Sequence, residues 1–311
     1  MELYENIEAA LGDASAGRSR VATIGFFDGV HRGHRVLLDE LRDWASAEDG
    51  DSVGVTFREH PQAVLGAHPP VPVVSLEHRL LLLEREGVDA VLVLDFDERV
   101  RALAPEEFVR SILVDALGVG GLLMGFDSAF GNRRLGTFEY LDSRRSELGL
   151  EIRRATAELL DGAAVSSTRV REAVANWDFP ELESLLGHPF SIMGEVVKGD
   201  GRGRQLGFPT ANLALPGVSV PPPGVYFCDA LCLGVQPHGR HSWAELFSSD
   251  RPDGIFRGLM NIGRRPTLTD GKEASSGSIY DPEVDTVEVH LLDFQGDLYG
   301  CLLYTSPSPR D

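Results

Sequence analysis

Two histidines three residues apart, His31 and His34, stand in the run Gly25-Phe26-Phe27-Asp28-Gly29-Val30-His31-Arg32-Gly33-His34, directly after a short apolar stretch. A helix opening at this run would carry both imidazoles on one face, because residues three apart are neighbours on a helix surface. Its N-terminus would offer unpaired backbone N–H groups and a partial positive charge to an anion. Gly29 and Gly33 would let the backbone come close to that anion. The chemistry open to such a group is phosphate transfer, in which imidazole N–H groups donate to phosphate oxygens as negative charge builds. For an isolated His-x-Gly-His string the plainer reading is one surface histidine and one turn cap. The strand-turn-helix setting favours phosphate handling.

Other residues could serve similar chemistry. In Val165-Ser166-Ser167-Thr168-Arg169-Val170-Arg171 three hydroxyls precede an arginine at a predicted helix start. Hydroxyls cap exposed N–H groups and a guanidinium can grip phosphate oxygens in a bidentate manner; an ordinary Ser/Thr cap is the bland alternative. Asp127, in Gly125-Phe126-Asp127-Ser128-Ala129-Phe130-Gly131, either bonds a substrate or caps the turn after a strand, and the sequence leaves both open. In the second half, Gly194 to Arg204 reads as a strand and a glycine-rich turn, including Gly199, able to cover phosphates. By itself Gly207-Phe208-Pro209-Thr210-Ala211-Asn212 reads as a Pro-initiated turn. Alternation in Val287 to Leu291 sends Val287, Val289 and Leu291 to one face and Glu288 and His290 to the other, leaving Glu288 free to face a cavity or to be a solvated strand carboxylate.

The elements that must position these groups fall into two patterns. Val21–Ile24, Val53–Phe57, Ala90–Asp95 and Gly121–Met124 read as buried parallel strands alternating with helices. One such helix carries Leu76, Leu80 and Leu83 as core, with Glu77, Arg79 and Glu84 for its wet face. This is a doubly wound α/β sheet, whose ligands bind beyond the strand C-termini at a switch point. After Gly187-His188-Pro189 the chain turns to strands and Gly/Pro turns: Gly194–Lys198, Gly224–Ala230, Phe256–Ile262 and Thr286–Leu292 predict a small antiparallel β-barrel. The polar stretch 238–254 reads as an insertion loop. With 311 residues there is room for two cores. Forty-eight acidic against 29 basic residues, a formal charge of −19, disfavour nucleic acid as a partner and point to small molecules. Three cysteines without metal-ligand spacing, no apolar run of membrane length and no signal-like start give the expectation of a cytoplasmic protein that does not bind a membrane.

The histidine run resembles the signature of the nucleotidylyl transferases, and Ile24 to His34 resembles more narrowly that of bacterial bifunctional riboflavin kinase/FAD synthetases. The likeness extends from about Val21 to Gly300. Further family-like stretches are Thr56 to Pro61, Phe96-Asp97-Glu98, Leu103 to Phe108, Asn261 to Thr267 and Glu288 to Phe294. Family members often carry Asn where Phe26 stands. The resemblance implies an FAD synthetase domain over 1–187, a nucleotidylyl-transferase-like sheet in which His31, His34 and Arg169 act in adenylyl transfer from ATP to FMN. Gly25, Phe27, Asp28, Gly29, Gly33, Asp127, Ser166, Ser167 and Thr168 would bind the nucleotides. It also implies a riboflavin kinase domain over 188–300, in which Thr210 and Asn212 hold Mg²⁺ with ATP. There Glu288 is the general base, and Gly199, Gly207, Pro209 and Asn261 line the site. The substrates implied are ATP, riboflavin and FMN. Rival readings are another adenylyltransferase, an FAD synthetase with an idle kinase domain, and a non-catalytic flavin-binding protein.

Residues 301–311, Cys301-Leu302-Leu303-Tyr304-Thr305-Ser306-Pro307-Ser308-Pro309-Arg310-Asp311, read like one frame of a common transposase sequencing adapter. The expectation is a non-native tail on a truncated kinase domain with impaired activity. Its Ser/Pro part should pack loosely, while the apolar Cys301–Tyr304 could extend the last strand.

Overall fold

Short apolar runs separated by helices build a six-stranded sheet in which every neighbouring pair is parallel. The computed structural model describes residues 1–11, 19–64, 69–199, 201–205, 207–233, 255–264 and 285–308. The strands are β1 (Glu2–Tyr4), β2 (Arg20–Ile24), β3 (Asp51–Phe57), β4 (Ala90–Leu94), β5 (Val119–Met124) and β6 (Glu151–Arg154), in the order β1-β4-β3-β2-β5-β6. The four central strands are those expected from sequence. β1 and β6 escaped because they are short edge strands, and β6 (Glu-Ile-Arg-Arg) buries only Ile152. The chain runs outward from β2 through β3 to β4, then crosses back to β5 beside β2. The strand order therefore reverses at the C-terminal end of β2, where Gly25 begins. Val53, Val55, Leu92, Leu94, Ile112, Leu113 and Leu122 belong to the core around this sheet. A two-stranded ribbon, β7 (Leu159–Leu160) and β8 (Ala163–Ala164), follows.

Two compact units divide the chain: Met1–Pro70 with Leu80–Val165, and Val71–Arg79 with Ser166–Asp311. In the second, β9 (Ile192–Val197), β10 (Ala211–Ala214), β11 (Gly224–Cys232), β12 (Ile255–Arg264), β13 (Asp285–Leu291) and β14 (Leu302–Ser308) close an antiparallel barrel in the order β10-β13-β12-β11-β14-β9. Its interior takes Val196, Leu213, Met260, Ile262, Val287 and Val289, all buried. The helices Ser167–Asn176 and Phe179–Leu186 belong to this unit. Trp177, between them, packs its ring on Phe179, Phe190 and, at 5.0 Å, Tyr226 of β11.

Three expectations are corrected. Arg79, assigned to a wet helix face, is fully buried, and Leu76 and Leu80 are only half-buried. The stripe actually buried on helix Leu76–Arg85 is His78, Arg79, Leu82 and Leu83, continuing from Ser75, which caps the helix by accepting the N–H of His78 at 3.1 Å. A histidine and an arginine hide a regular helical face from a count of apolar residues. Next, the glycine-rich turn contains a short helix, Arg202–Gln205. Finally, the Ser/Pro part expected to pack loosely joins the apolar Leu302–Tyr304 in a strand as far as Ser308. Leu302–Ser308 pair with β11 and β9, and Leu303, Tyr304 and Thr305 are buried. Strand pairing uses backbone groups and asks only for compatible side chains, which Leu, Tyr and Thr supply. The expected insertion loop at 238–254 and the Arg265-Pro266-Thr267 end of one family-like run lie outside the described residues.

Candidate active sites

At the switch point the chain leaves β2 through a strained turn. Gly25 extends the ladder, its N–H donating to Val55 O at 3.0 Å. Phe27 (φ 55°), Gly29 (φ 72°) and Val30 (φ 41°) then take left-handed backbone around the single turn Asp28–Val30. Glycine accepts that conformation freely, but a β-branched valine does so at a cost typically met at functional sites. Burial of Phe27, Asp28, Gly29, Val30 and His31 offsets it. Gly25 lies under the Phe27 ring, where an added Cβ would come within 2.9 Å of it.

His31 is the N-cap of the 16-residue helix Arg32–Ala47, and its Nδ1 accepts the N–H of His34 at 3.4 Å. In the neutral ring the proton therefore resides on Nε2, leaving that atom as a donor. The His31 and His34 rings stack at 3.7 Å and 14°, and the Phe27 ring meets His34 edge-on at 5.3 Å. The sequence placed the two histidines on one helical face; the structure instead makes one the cap and the other its stacking partner. Gly33 fits beneath them, a Cβ there standing 3.3 Å from both the His31 ring and Val165 O. Phe26, in place of the family's frequent Asn, sets its ring edge against His60 at 4.7 Å. Arg32 pairs with Glu158 at 2.9 Å and Glu40 accepts the N–H of Thr156 at 3.2 Å, tying the start of the ribbon to this helix. Asp127 is exposed in the turn after β5, which Ser128 N closes on Gly125 O at 3.1 Å.

In the other unit, Ser166 caps helix Ser167–Asn176 by accepting the Arg169 N–H at 3.4 Å, the plain role open to it. Ser167 begins the helix and Thr168 accepts from the Arg171 guanidinium at 3.2 Å. Arg169 pairs with Glu181 at 2.5 Å.

The barrel assembles a second site by register. Glu288 on β13 stands opposite Asn212 on β10 and, on its other side, opposite Asn261 on β12. Directly opposed residues of antiparallel strands point to the same face. With Leu213, Val287 and Ile262 buried inside, these three share the outer face. The Thr210 hydroxyl donates to Glu288 Oε2 at 3.4 Å. A Cβ at Gly199 would fall within 2.6 Å of the Asn212 side chain, which would have to shift. Gly207 (φ 86°) leads into Pro209, whose carbonyl accepts from Nδ1 of His290 at 2.8 Å. His290 is a contact the site assignment missed, although alternation had already placed it on the Glu288 face. Thr210, Asn212 and Glu288 offer a hydroxyl, an amide oxygen and a carboxylate, the hard oxygen ligands Mg²⁺ takes while keeping several waters.

The profile described as FAD synthetase matches residues 13–169, and that described as riboflavin kinase matches residues 186–306, which takes in most of β14. The chain belongs to the bifunctional riboflavin kinase/FMN adenylyltransferase family. Its relatives of that name include those of Pseudomonas fluorescens, 41% identical with 91% of this chain and 81% of that protein covered, and Escherichia coli K12, 37% identical with 90% and 80% covered. That of Bacillus subtilis is 30% identical, with 91% and 81% covered. A solved structure described as a macrolide-efflux protein from Streptococcus pneumoniae superposes with a TM-score of 0.72 at 28% identity, covering 96% of this chain and 87% of that one. No helix among the described residues is long and apolar enough to cross a membrane.

Proposed function

We propose that the chain makes FAD in two steps, phosphorylating riboflavin to FMN at the barrel and adenylylating FMN at the parallel sheet, with ATP the donor in both. In the second step a phosphate oxygen of FMN attacks the α-phosphorus of ATP and pyrophosphate leaves. His31, through Nε2–H, and His34 stabilise the charge that builds on the transferring phosphorus. The N-terminal helix turn and Gly25 to Gly33 receive the nucleotide, while Asp127 bonds it from the neighbouring strand end. By the family resemblance Ser166, Ser167, Thr168 and Arg169 are assigned phosphate contacts, and for Arg169 this means leaving Glu181. No enzyme nucleophile is required, in keeping with catalysis by positioning and charge.

In the first step Glu288 accepts the proton of the riboflavin 5′-hydroxyl, whose oxygen attacks the γ-phosphorus of ATP and releases ADP. Thr210 and Asn212 would hold Mg²⁺, which supplies neutralisation of the triphosphate charge. Gly199, Gly207, Pro209 and Asn261 shape the surroundings. The expected impairment of this half rested on a truncated kinase domain lacking a last strand; the closed barrel that includes β14 supports the reading of two working activities. The observation that carries it is the pairing of a stacked histidine cap in one unit with the Asn212–Glu288–Asn261 row in the other. Incubating the chain with ATP, Mg²⁺ and either riboflavin or FMN, then separating the flavins, tests it: FMN and FAD should form from riboflavin, and FAD from FMN.

A further inference from the structure

We propose that His290 is a positioning residue for riboflavin phosphorylation, holding the Pro209 carbonyl so that the Thr210 hydroxyl is set against Glu288; this rests on the kinase reading above. Pro209 has no N–H to give to a ladder, and its ring fixes φ but leaves ψ free. The hydrogen bond from His290 Nδ1 to Pro209 O, at 2.8 Å, orients the peptide plane that joins Pro209 to Thr210. Thr210 in turn donates to Glu288 Oε2 at 3.4 Å. Clamp and carboxylate lie two residues apart on β13, on the same face, so one strand positions both ends of this chain of contacts. The Phe208 ring meets the His290 ring edge-on at 5.7 Å and 81°, which limits rotation of the imidazole. A carbonyl only accepts, so Nδ1 carries the proton and His290 acts as a donor, not as a base. An amide nitrogen of Asn can stand close to the place of Nδ1, while Phe keeps a ring there and offers no donor.

The test uses the full chain as wild type, His290→Ala, His290→Asn, His290→Phe and Glu288→Gln. In His290→Ala and His290→Phe, kcat for riboflavin phosphorylation should fall roughly 10- to 100-fold, the scale of a misplacement near 1 Å. KM for riboflavin, the melting temperature and FAD formation from FMN should stay near wild type. His290→Asn should recover most of the lost kcat. Nitrogen-resolved NMR should find the His290 ring protonated at Nδ1. If His290→Ala melts early, His290→Phe decides. Unchanged kcat in His290→Phe, no recovery in a folded His290→Asn, or a ring protonated at Nε2 alone would overturn the proposal. If Glu288→Gln still phosphorylates riboflavin, the kinase reading falls and takes this inference with it. If Glu288→Gln is inactive while His290→Phe is normal, the inference alone fails.

Discussion

The two candidate sites are built in opposite ways. The one at the parallel sheet has a contiguous centre: Gly25 to His34 supply turn, cap and both imidazoles within a single strand-turn-helix passage, and only the proposed outer contacts, Asp127 and Ser166 to Arg169, come from elsewhere in the chain. The one at the barrel is collated: Thr210 and Asn212, Asn261, and Glu288 with His290 come from three separate stretches, and only strand register sets them side by side. A contiguous site depends on local backbone, so its weak points are the left-handed turn and the cap. A collated site depends on sheet pairing, so its weak points are the close approaches between strands. The same residue types thus carry different vulnerabilities in the two halves.

The largest separation should come from His31→Ala with His34→Ala. Losing two donors to the transferring phosphate should lower kcat for FAD formation by about 10³-fold or more, with a smaller effect on FMN affinity and an intact circular dichroism spectrum. Unchanged turnover would make the stacked pair a structural cap only. Next comes Glu288→Gln, which keeps shape and removes basicity. FMN formation should drop by roughly 10²- to 10⁴-fold while FAD formation from supplied FMN stays within about twofold.

Gly199→Ala sharpens the contrast, because its Cβ would stand within 2.6 Å of the Asn212 side chain. Kinase turnover should fall about tenfold, in the range expected when a site group is moved by less than 1 Å, with adenylyl transfer unaffected. Equal loss of both activities would mean that the close approach serves the fold and not the site.

The effect on stability, as distinct from turnover, concerns pH. His78 is buried against Ser191, 3.1 Å from its Oγ, and burial with neighbouring His188 pulls its pKa down to about 3. The folded barrel unit therefore resists a proton that the unfolded chain accepts near pH 6.5. Its stability should be full above that pH and decline as pH falls toward 3, by at most roughly 1.4 kcal/mol per unit. Melting curves of wild type and His78→Gln between pH 7 and 4 check this; equal slopes would contradict it.

What could be read from the sequence follows the same division. The four central strands of the sheet are continuous apolar runs, and the Gly25 to His34 passage announces its strand, turn and helix in order. The stacking of His31 on His34 could not be read, because it depends on the left-handed backbone at Phe27, Gly29 and Val30, which only one glycine foreshadows. In the barrel, alternation correctly put Glu288 and His290 on one face, but nothing in the chain announces that Asn212 and Asn261 stand opposite Glu288. In β14 the apolar Leu302 to Tyr304 could be read as strand, but Thr305 to Ser308 could not, because Ser306, Pro307 and Ser308 signal a loose chain while backbone pairing with β11 holds them. Arg79 was misjudged because a charged residue on a buried helical stripe defeats a hydrophobic count.

The central claim, two chemistries on two units of one chain, is tested most directly by flavin chromatography of wild type, His31→Ala/His34→Ala and Glu288→Gln, each given ATP and Mg²⁺ with riboflavin or with FMN. The histidine variant should accumulate FMN from riboflavin and make no FAD, and the glutamate variant should turn FMN into FAD while leaving riboflavin untouched. Loss of both activities in either variant, so that it neither phosphorylates riboflavin nor turns supplied FMN into FAD, or retention of both, would contradict the account.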